Sequence, residues 1–241
     1  MKVHPSVKIL QSQGLGSRKI CEKIFWESDI FRDHIRLNPE IDQINYGDRL
    51  EIDGLLLEIT EFKYLLLHKP AGYETSQKPS RHPSVYDLLP SHYRARGIQA
   101  AGRLDVDTTG LLILSDDGHF IHRLISGKTG AKYSIEKIYQ VTTASPFTEE
   151  QRLALLCGVN LNDEPEPIAA SQVTQLDACT IELGITTGKY HQVKRMLAAA
   201  GNHVVALHRK TVGPYALPET LTPGQFCELD PSLLEQYSTS S

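Results

Sequence analysis

The stretch Gly102-Arg103-Leu104-Asp105-Val106-Asp107-Thr108-Thr109-Gly110 decides how the fold is read. Small, turn-forming residues enclose a carboxylate at Asp105, with Arg103 two positions before it and the hydroxyls of Thr108 and Thr109 just after. The apolar run Leu111-Leu112-Ile113-Leu114 follows and reads as a buried strand, which puts Asp105 on a loop at the edge of a sheet. Loops held by a rigid sheet are where chemistry is commonly placed. An isolated Asp in such a loop usually makes turn hydrogen bonds and nothing more. This loop is not isolated.

Three other segments accompany it in a fixed order: Leu66-Leu67-His68-Lys69-Pro70-Ala71-Gly72-Tyr73, Glu136-Lys137-Ile138-Tyr139-Gln140-Val141, and Gly188-Lys189-Tyr190-His191-Gln192-Val193-Lys194-Arg195-Met196. Together the four resemble the motifs of pseudouridine synthases, in their rRNA-modifying, small-subunit branch. The run Ala200-Gly201-Asn202-His203-Val204-Val205-Ala206-Leu207-His208-Arg209 is similar to that branch in particular. The chain departs from the family pattern at His68, where Asn is usual, and at Ile138, where Thr is common. The resemblance covers roughly residues 62–230.

The resemblance implies an α+β catalytic domain over residues 62–235, with a mixed, largely antiparallel sheet and a central cleft. It implies that Asp105 is the nucleophile, that Tyr139 stacks on the uracil, and that Lys194 pairs with Asp105 and keeps it ionised in a desolvated cleft. The reaction breaks the C1′–N1 bond of a uridine, turns the base and rejoins it through C5, so it resembles glycoside cleavage. Whether the carboxylate attacks the sugar or the base stays open at this point. The target base must be extruded from the RNA stack, and Arg103 is suited either to the vacated space and a phosphate or to a loop-ordering salt bridge. The further residues expected to contact RNA are Lys69, Lys137, Lys189, His191, Gln192, Arg195 and Arg209. No cofactor and no metal are expected, and the partner is rRNA, alone or in an assembling subunit, met by a cytoplasmic monomer. The alternatives are a large-subunit rRNA paralogue and a ribosome-assembly factor that binds RNA without catalysis.

Two other chemistries fit less well. Asp105-Val106-Asp107-Thr108-Thr109 also matches the Asp-x-Asp-x-Thr pattern of aspartyl-phosphate phosphohydrolases, but Asp116-Asp117-Gly118 is too close to supply the missing magnesium ligands and reads as a turn. His191, His203 and His208 lack metal-ligand spacing.

Charge and composition bound the partners. The formal net charge of −4 argues mildly against RNA. Its distribution reverses the argument, because residues 183–218 carry Lys189, Lys194, Arg195, Arg209 and Lys210 and no carboxylate. Residues 64–143 hold ten Lys and Arg against seven Asp and Glu. No apolar run approaches the ~20 residues that span a bilayer, and no secretory signal is expected. Cys21, Cys157, Cys179 and Cys227 are scattered, as reduced thiols usually are.

Residues 1–58 read as a separate small α+β module resembling the RNA-binding domain that family members often carry, in degenerate form. Ser17 is suited to cap a helix carrying Ile20, Ile24 and Phe25, and Asp53-Gly54 between Leu50-Glu51-Ile52 and Leu55-Leu56-Leu57 predicts a hairpin. The Asn-Gly turn usual in that module is replaced by Phe31-Arg32-Asp33-His34-Ile35. A fragment starting near Phe62 is therefore expected to fold alone. From there on, strands are predicted at 64–67, 111–114, 138–142 and 180–183, helices at 149–156 and 191–200, and a frayed polar tail from 236.

Overall fold

The computed structural model describes residues 4–126 and 135–240. Lys128 and Lys132, part of the basic stretch noted above, lie outside the described residues. The chain divides into two compact units, residues 1–63 with 89–99 and residues 64–88 with 100–241.

In the first unit the helices α1 (Pro5–Ser12) and α2 (Arg18–Glu27) precede a small sheet. Its strands β1 (Ile30–Arg32), β2 (Ile35–Arg36), β3 (Arg49–Ile52) and β4 (Leu55–Glu58) lie in the order β2-β1-β3-β4. Ser17 caps α2 by accepting from the Ile20 amide, as its residue type predicts. The buried residues of that helix are Cys21 and Phe25, whereas Ile20 is half exposed. Asp53 and Gly54 both take positive φ, 48° and 82°, the geometry of a two-residue hairpin turn. Asp33 and His34 do the same at 50° and 66°, so the β1–β2 turn forms without glycine, a conformation Asp and His tolerate better than most residues. Leu55 and Leu56 are exposed, and Leu57 packs on the core of this unit. Residues 89–99, expected in the catalytic domain, belong to this unit and include the short helix α3 (Ser91–Ala95). Arg96 Nη2 donates to the carbonyls of Thr60 (3.2 Å) and Glu61 (3.0 Å).

The second unit runs β5 (Tyr64–Lys69), β6 (Gln99–Ala100, where the chain re-enters), β7 (Thr109–Ser115), α4 (Gly118–Ser126), β8 (Lys137–Thr143) and α5 (Glu149–Cys157). It continues with β9 (Gln172–Gln175), β10 (Thr180–Ile185), α6 (Gln192–Ala199), β11 (Val204–Val212), β12 (Tyr215–Ala216), β13 (Phe226–Glu228) and α7 (Ser232–Ser240). The strand order is β13-β5-β7-β11-β8-β10-β9. The β7–β11 pair is parallel, whereas β5–β7, β8–β11, β8–β10, β9–β10 and β5–β13 are antiparallel, so the sheet is mixed and largely antiparallel. β7 is an inner strand, and after Thr109 every residue of it is buried, which explains its unbroken apolar run. The loop that carries Asp105 therefore feeds the centre of the sheet rather than its edge. Residues 236–240, expected to fray, continue α7, in which Leu234 is buried. Among the described residues no helix is long and apolar enough to cross a membrane.

Candidate active site

The loop before β7 is shaped by its own backbone and by one buried lysine. The Thr108 amide donates to the Asp105 carbonyl at 3.1 Å, closing a turn that brings the Asp105 and Asp107 side chains close together. Lys69 at the end of β5 is fully buried, and its Nζ donates to the carbonyls of Pro70 (3.0 Å), Val106 (3.3 Å) and Thr108 (2.8 Å). Burial holds this ammonium down to about 8. Thr75 fastens the other side of the loop, its hydroxyl donating to Leu104 O at 2.9 Å and accepting from Leu104 N at 3.3 Å. Lys69 was expected on RNA. Its three carbonyl partners and complete burial make it a support of the loop instead.

Opposite this loop, α6 begins at His191, whose φ of 47° is left-handed. Gln192, expected on RNA, is buried and ties down the entry to the helix. Its Oε1 accepts from the Thr187 hydroxyl and the Lys189 amide, both at 2.9 Å. One turn along, Lys194 Nζ lies 3.2 Å from Asp105 Oδ2 and 2.7 and 2.9 Å from the two oxygens of Asp107. His191 Nε2 stands 3.3 Å from Asp105 Oδ1. Burial works against the Lys194 charge, but the two carboxylates outweigh it and raise the group above the usual lysine value. The same hydrogen bond holds Asp107 below the ordinary Asp range.

The pairing of Lys194 with Asp105 follows the expectation. The stronger share taken by Asp107 does not, because that residue was weighed only as part of the Asp-x-Asp-x-Thr pattern. Among the described residues no three His, Cys, Asp or Glu side chains converge as a metal site.

A cavity of about 460 Å³ opens beside the pair, within the ~300–1,000 Å³ range of small-molecule sites. Asp105, Tyr139, His191, Lys194, Lys137 and Arg209 all line it. Tyr139 sits buried in the middle of β8, and Arg209 stands directly across from it on β11. Arg209, expected to contact RNA, is 3% exposed and lines the cavity. Its Nε donates to Leu111 O at 2.8 Å, and its guanidinium carbon lies 6.0 Å from the Tyr139 ring centre. Lys137 Nζ donates to Ile135 O at 2.9 Å, and burial together with the Arg209 charge holds it down to about 8.

The remaining expected RNA contacts divide. Arg103 is exposed at the cavity and makes no ion pair among the described residues, so its loop-ordering alternative finds no support. Lys189 pairs with Glu164 at 2.9 Å, and Arg195 pairs with Asp163 and donates to Tyr190 O at 3.1 Å. Both therefore carry a carboxylate that an RNA phosphate would have to displace.

Residues 63–199 match the RNA pseudouridylate synthase family. The chain is 39% identical over 208 residues to the ribosomal small subunit pseudouridine synthase A of Haemophilus influenzae, covering 84% of this chain and 88% of that one. It is 35% identical over 223 residues to the protein of the same name from Pasteurella multocida, covering 92% and 93%. A crystal structure of a pseudouridylate synthase, 36% identical, superposes with a TM-score of 0.66 over 96% of this chain and 98% of its own. The chain belongs to the RNA pseudouridylate synthase family. It is accordingly an isomerase that acts on uridine in RNA, and Asp105, Lys194 and Tyr139 line one cavity.

Proposed function

We propose that this protein converts one uridine of small-subunit rRNA to pseudouridine, in the cytoplasm and as a monomer, with Asp105 as the reacting carboxylate. The observation that carries the reading is the Asp105–Lys194 pair, 3.2 Å apart, at a cavity walled by Tyr139. The names of its relatives point to the same substrate.

The target uridine leaves the RNA stack and enters the cavity, where Tyr139 takes the face of the base. Asp105, paired with Lys194, attacks C1′ as the C1′–N1 bond breaks and its electron pair passes to the uracil. The base turns within the closed pocket and C5 attacks C1′, displacing the Asp105 carboxylate. Loss of the C5 proton, assisted by Tyr139, then restores aromaticity. Arg103 contacts the RNA backbone or the space the base has left.

Mapping pseudouridine in rRNA from cells with and without the protein tests the substrate. One small-subunit position should lose its modification. A loss confined to large-subunit rRNA would move the assignment to a paralogous activity, and impaired subunit assembly with every pseudouridine intact would favour a binding role. For the residue, Asp105→Asn should keep the fold and RNA affinity but abolish tritium release from C5-labelled uridine, since the amide lacks charge and nucleophilicity.

A further inference from the structure

The inner wall of the cavity holds two cations that the chemistry above leaves unused. Arg209 is 97% buried, taking its exposure of 3%, yet one terminal nitrogen, Nη2, has no hydrogen-bond partner. A buried guanidinium donor without an acceptor is costly, and an uncompensated one points to an absent ligand. The fold goes to some length to put it there. Gly110 lies across from Arg209, and a Cβ at that glycine would come 2.3 Å from the Arg209 carbonyl oxygen, so only glycine lets the two strands approach. A shift of register between Arg209 and Thr211 bulges β11 at this point, a device that re-aims side chains next to active sites. Lys137, two residues before Tyr139 and thus on the same face of β8, lines the same cavity with a single carbonyl as its hydrogen-bond partner among the described residues.

We propose that Arg209 and Lys137 form a cationic seat for a carbonyl oxygen of the target uracil and that the seat takes up negative charge when the base is detached. The inference rests on the functional reading above and deepens it. When C1′–N1 breaks, the bonding pair moves onto the ring and spreads over N1, O2 and O4, so the detached base is an anion. Fixed donors aimed at the place where charge develops in a dry cavity act on the transition state more than on the bound substrate. Both groups are donors only, guanidinium and ammonium, so the seat accepts a uracil carbonyl and rejects the exocyclic amine of cytosine. The base can also turn while still held, because O2 and O4 are alternative acceptors for the same pair of cations.

The test is single-turnover kinetics of the full-length protein on its substrate RNA, transcribed with uridine or with 5-fluorouridine, for Arg209→Lys, Arg209→Gln and Lys137→Gln. Fluorine draws charge from the ring and makes the detached base a more stable anion. The glutamine variants should keep RNA affinity within a few-fold and lose rate on uridine RNA by on the order of 10²–10³-fold. The loss should be clearly smaller for the step that cleaves 5-fluorouridine, and Arg209→Lys should recover part of the rate. Lys137→Gln covers the case in which the buried Arg209 variants fold poorly, which thermal melting will show. Equal losses on the two RNAs, or wild-type rates in folded variants, would overturn the proposal. Wild-type protein that isomerises no uridine would instead overturn the functional reading beneath it.

Discussion

Lys194 serves two carboxylates, and the closer of them, Asp107, is not the one proposed to react. Asp107 is largely exposed, so its ion pair with Lys194 is worth little to stability, but it fixes where the ammonium stands relative to Asp105. Lys194→Met should lower single-turnover rate on the order of 10²–10³-fold while RNA binding changes little. Arg195→Met should leave the saturated rate nearly intact and weaken binding a few-fold, since Arg195 is already engaged by Asp163. Binding isotherms over a range of salt, beside single-turnover rates, separate the two, and exchanged phenotypes would mean that Arg195 is the active-site cation. Lys69 and Lys137 carry a different signal. Both are shifted down to about 8, so between about pH 8 and 9.5 the unfolded chain holds protons that the folded chain has released. The two lysines therefore contribute stability that rises with pH across that window, while the Cys21 and Cys227 thiols, raised by burial, contribute in the opposite sense. Denaturant midpoints at the two ends should show the wild type gaining with pH relative to a Lys69→Met, Lys137→Met double variant.

At the level of elements, the cleft is built where β7 and β11 run parallel and unusually close. Gly110 combines a φ of 105° with backbone atoms of Arg209 at 2.3, 2.6 and 2.9 Å from any Cβ. Gly110→Ala should therefore destabilise by about 3 kcal/mol, joining positive-φ strain to overpacking. Gly102, at φ 85° but with open space around it, should suffer the strain alone when changed to Ala, about 1–2 kcal/mol. Thermal or urea denaturation of the pair measures the difference, and equal losses would mean that the β7–β11 approach is not what requires Gly110.

For the molecule as a whole, the division of the chain is not a single cut. Residues 89–99 belong to the first unit, where Leu89 and Ile98 are buried residues and Arg96 bonds the carbonyls of Thr60 and Glu61. A fragment beginning at 62 removes the residues this excursion packs on. It should aggregate or melt well below the full-length protein, contrary to the independent folding expected of it, while a fragment with residues 89–99 replaced by a short Gly-Ser linker should be better behaved. Circular dichroism melts and size-exclusion profiles decide, and a cooperative, soluble fragment without the linker would show that the 89–99 excursion needs no partner.

What the sequence determined by itself was local: the apolar run of β7, the Asp53-Gly54 hairpin, the Ser17 cap and the helix after His191 each follow from periodicity or turn chemistry within a few residues. The ordered motifs also located Asp105, Tyr139 and Lys194, since loop, strand and helix positions are written in neighbouring residues. The tertiary structure alone decided which polar residues face inward. Lys69, Gln192 and Arg209 read in sequence as polar groups for RNA, but their burial depends on partners far along the chain. Arg209 meets Leu111 across 98 residues and Tyr139 across 70, and Lys69 meets Thr108 across 39. A polar side chain shows its type locally, whereas the acceptor that makes its burial tolerable comes from strand pairing, which no window of sequence contains.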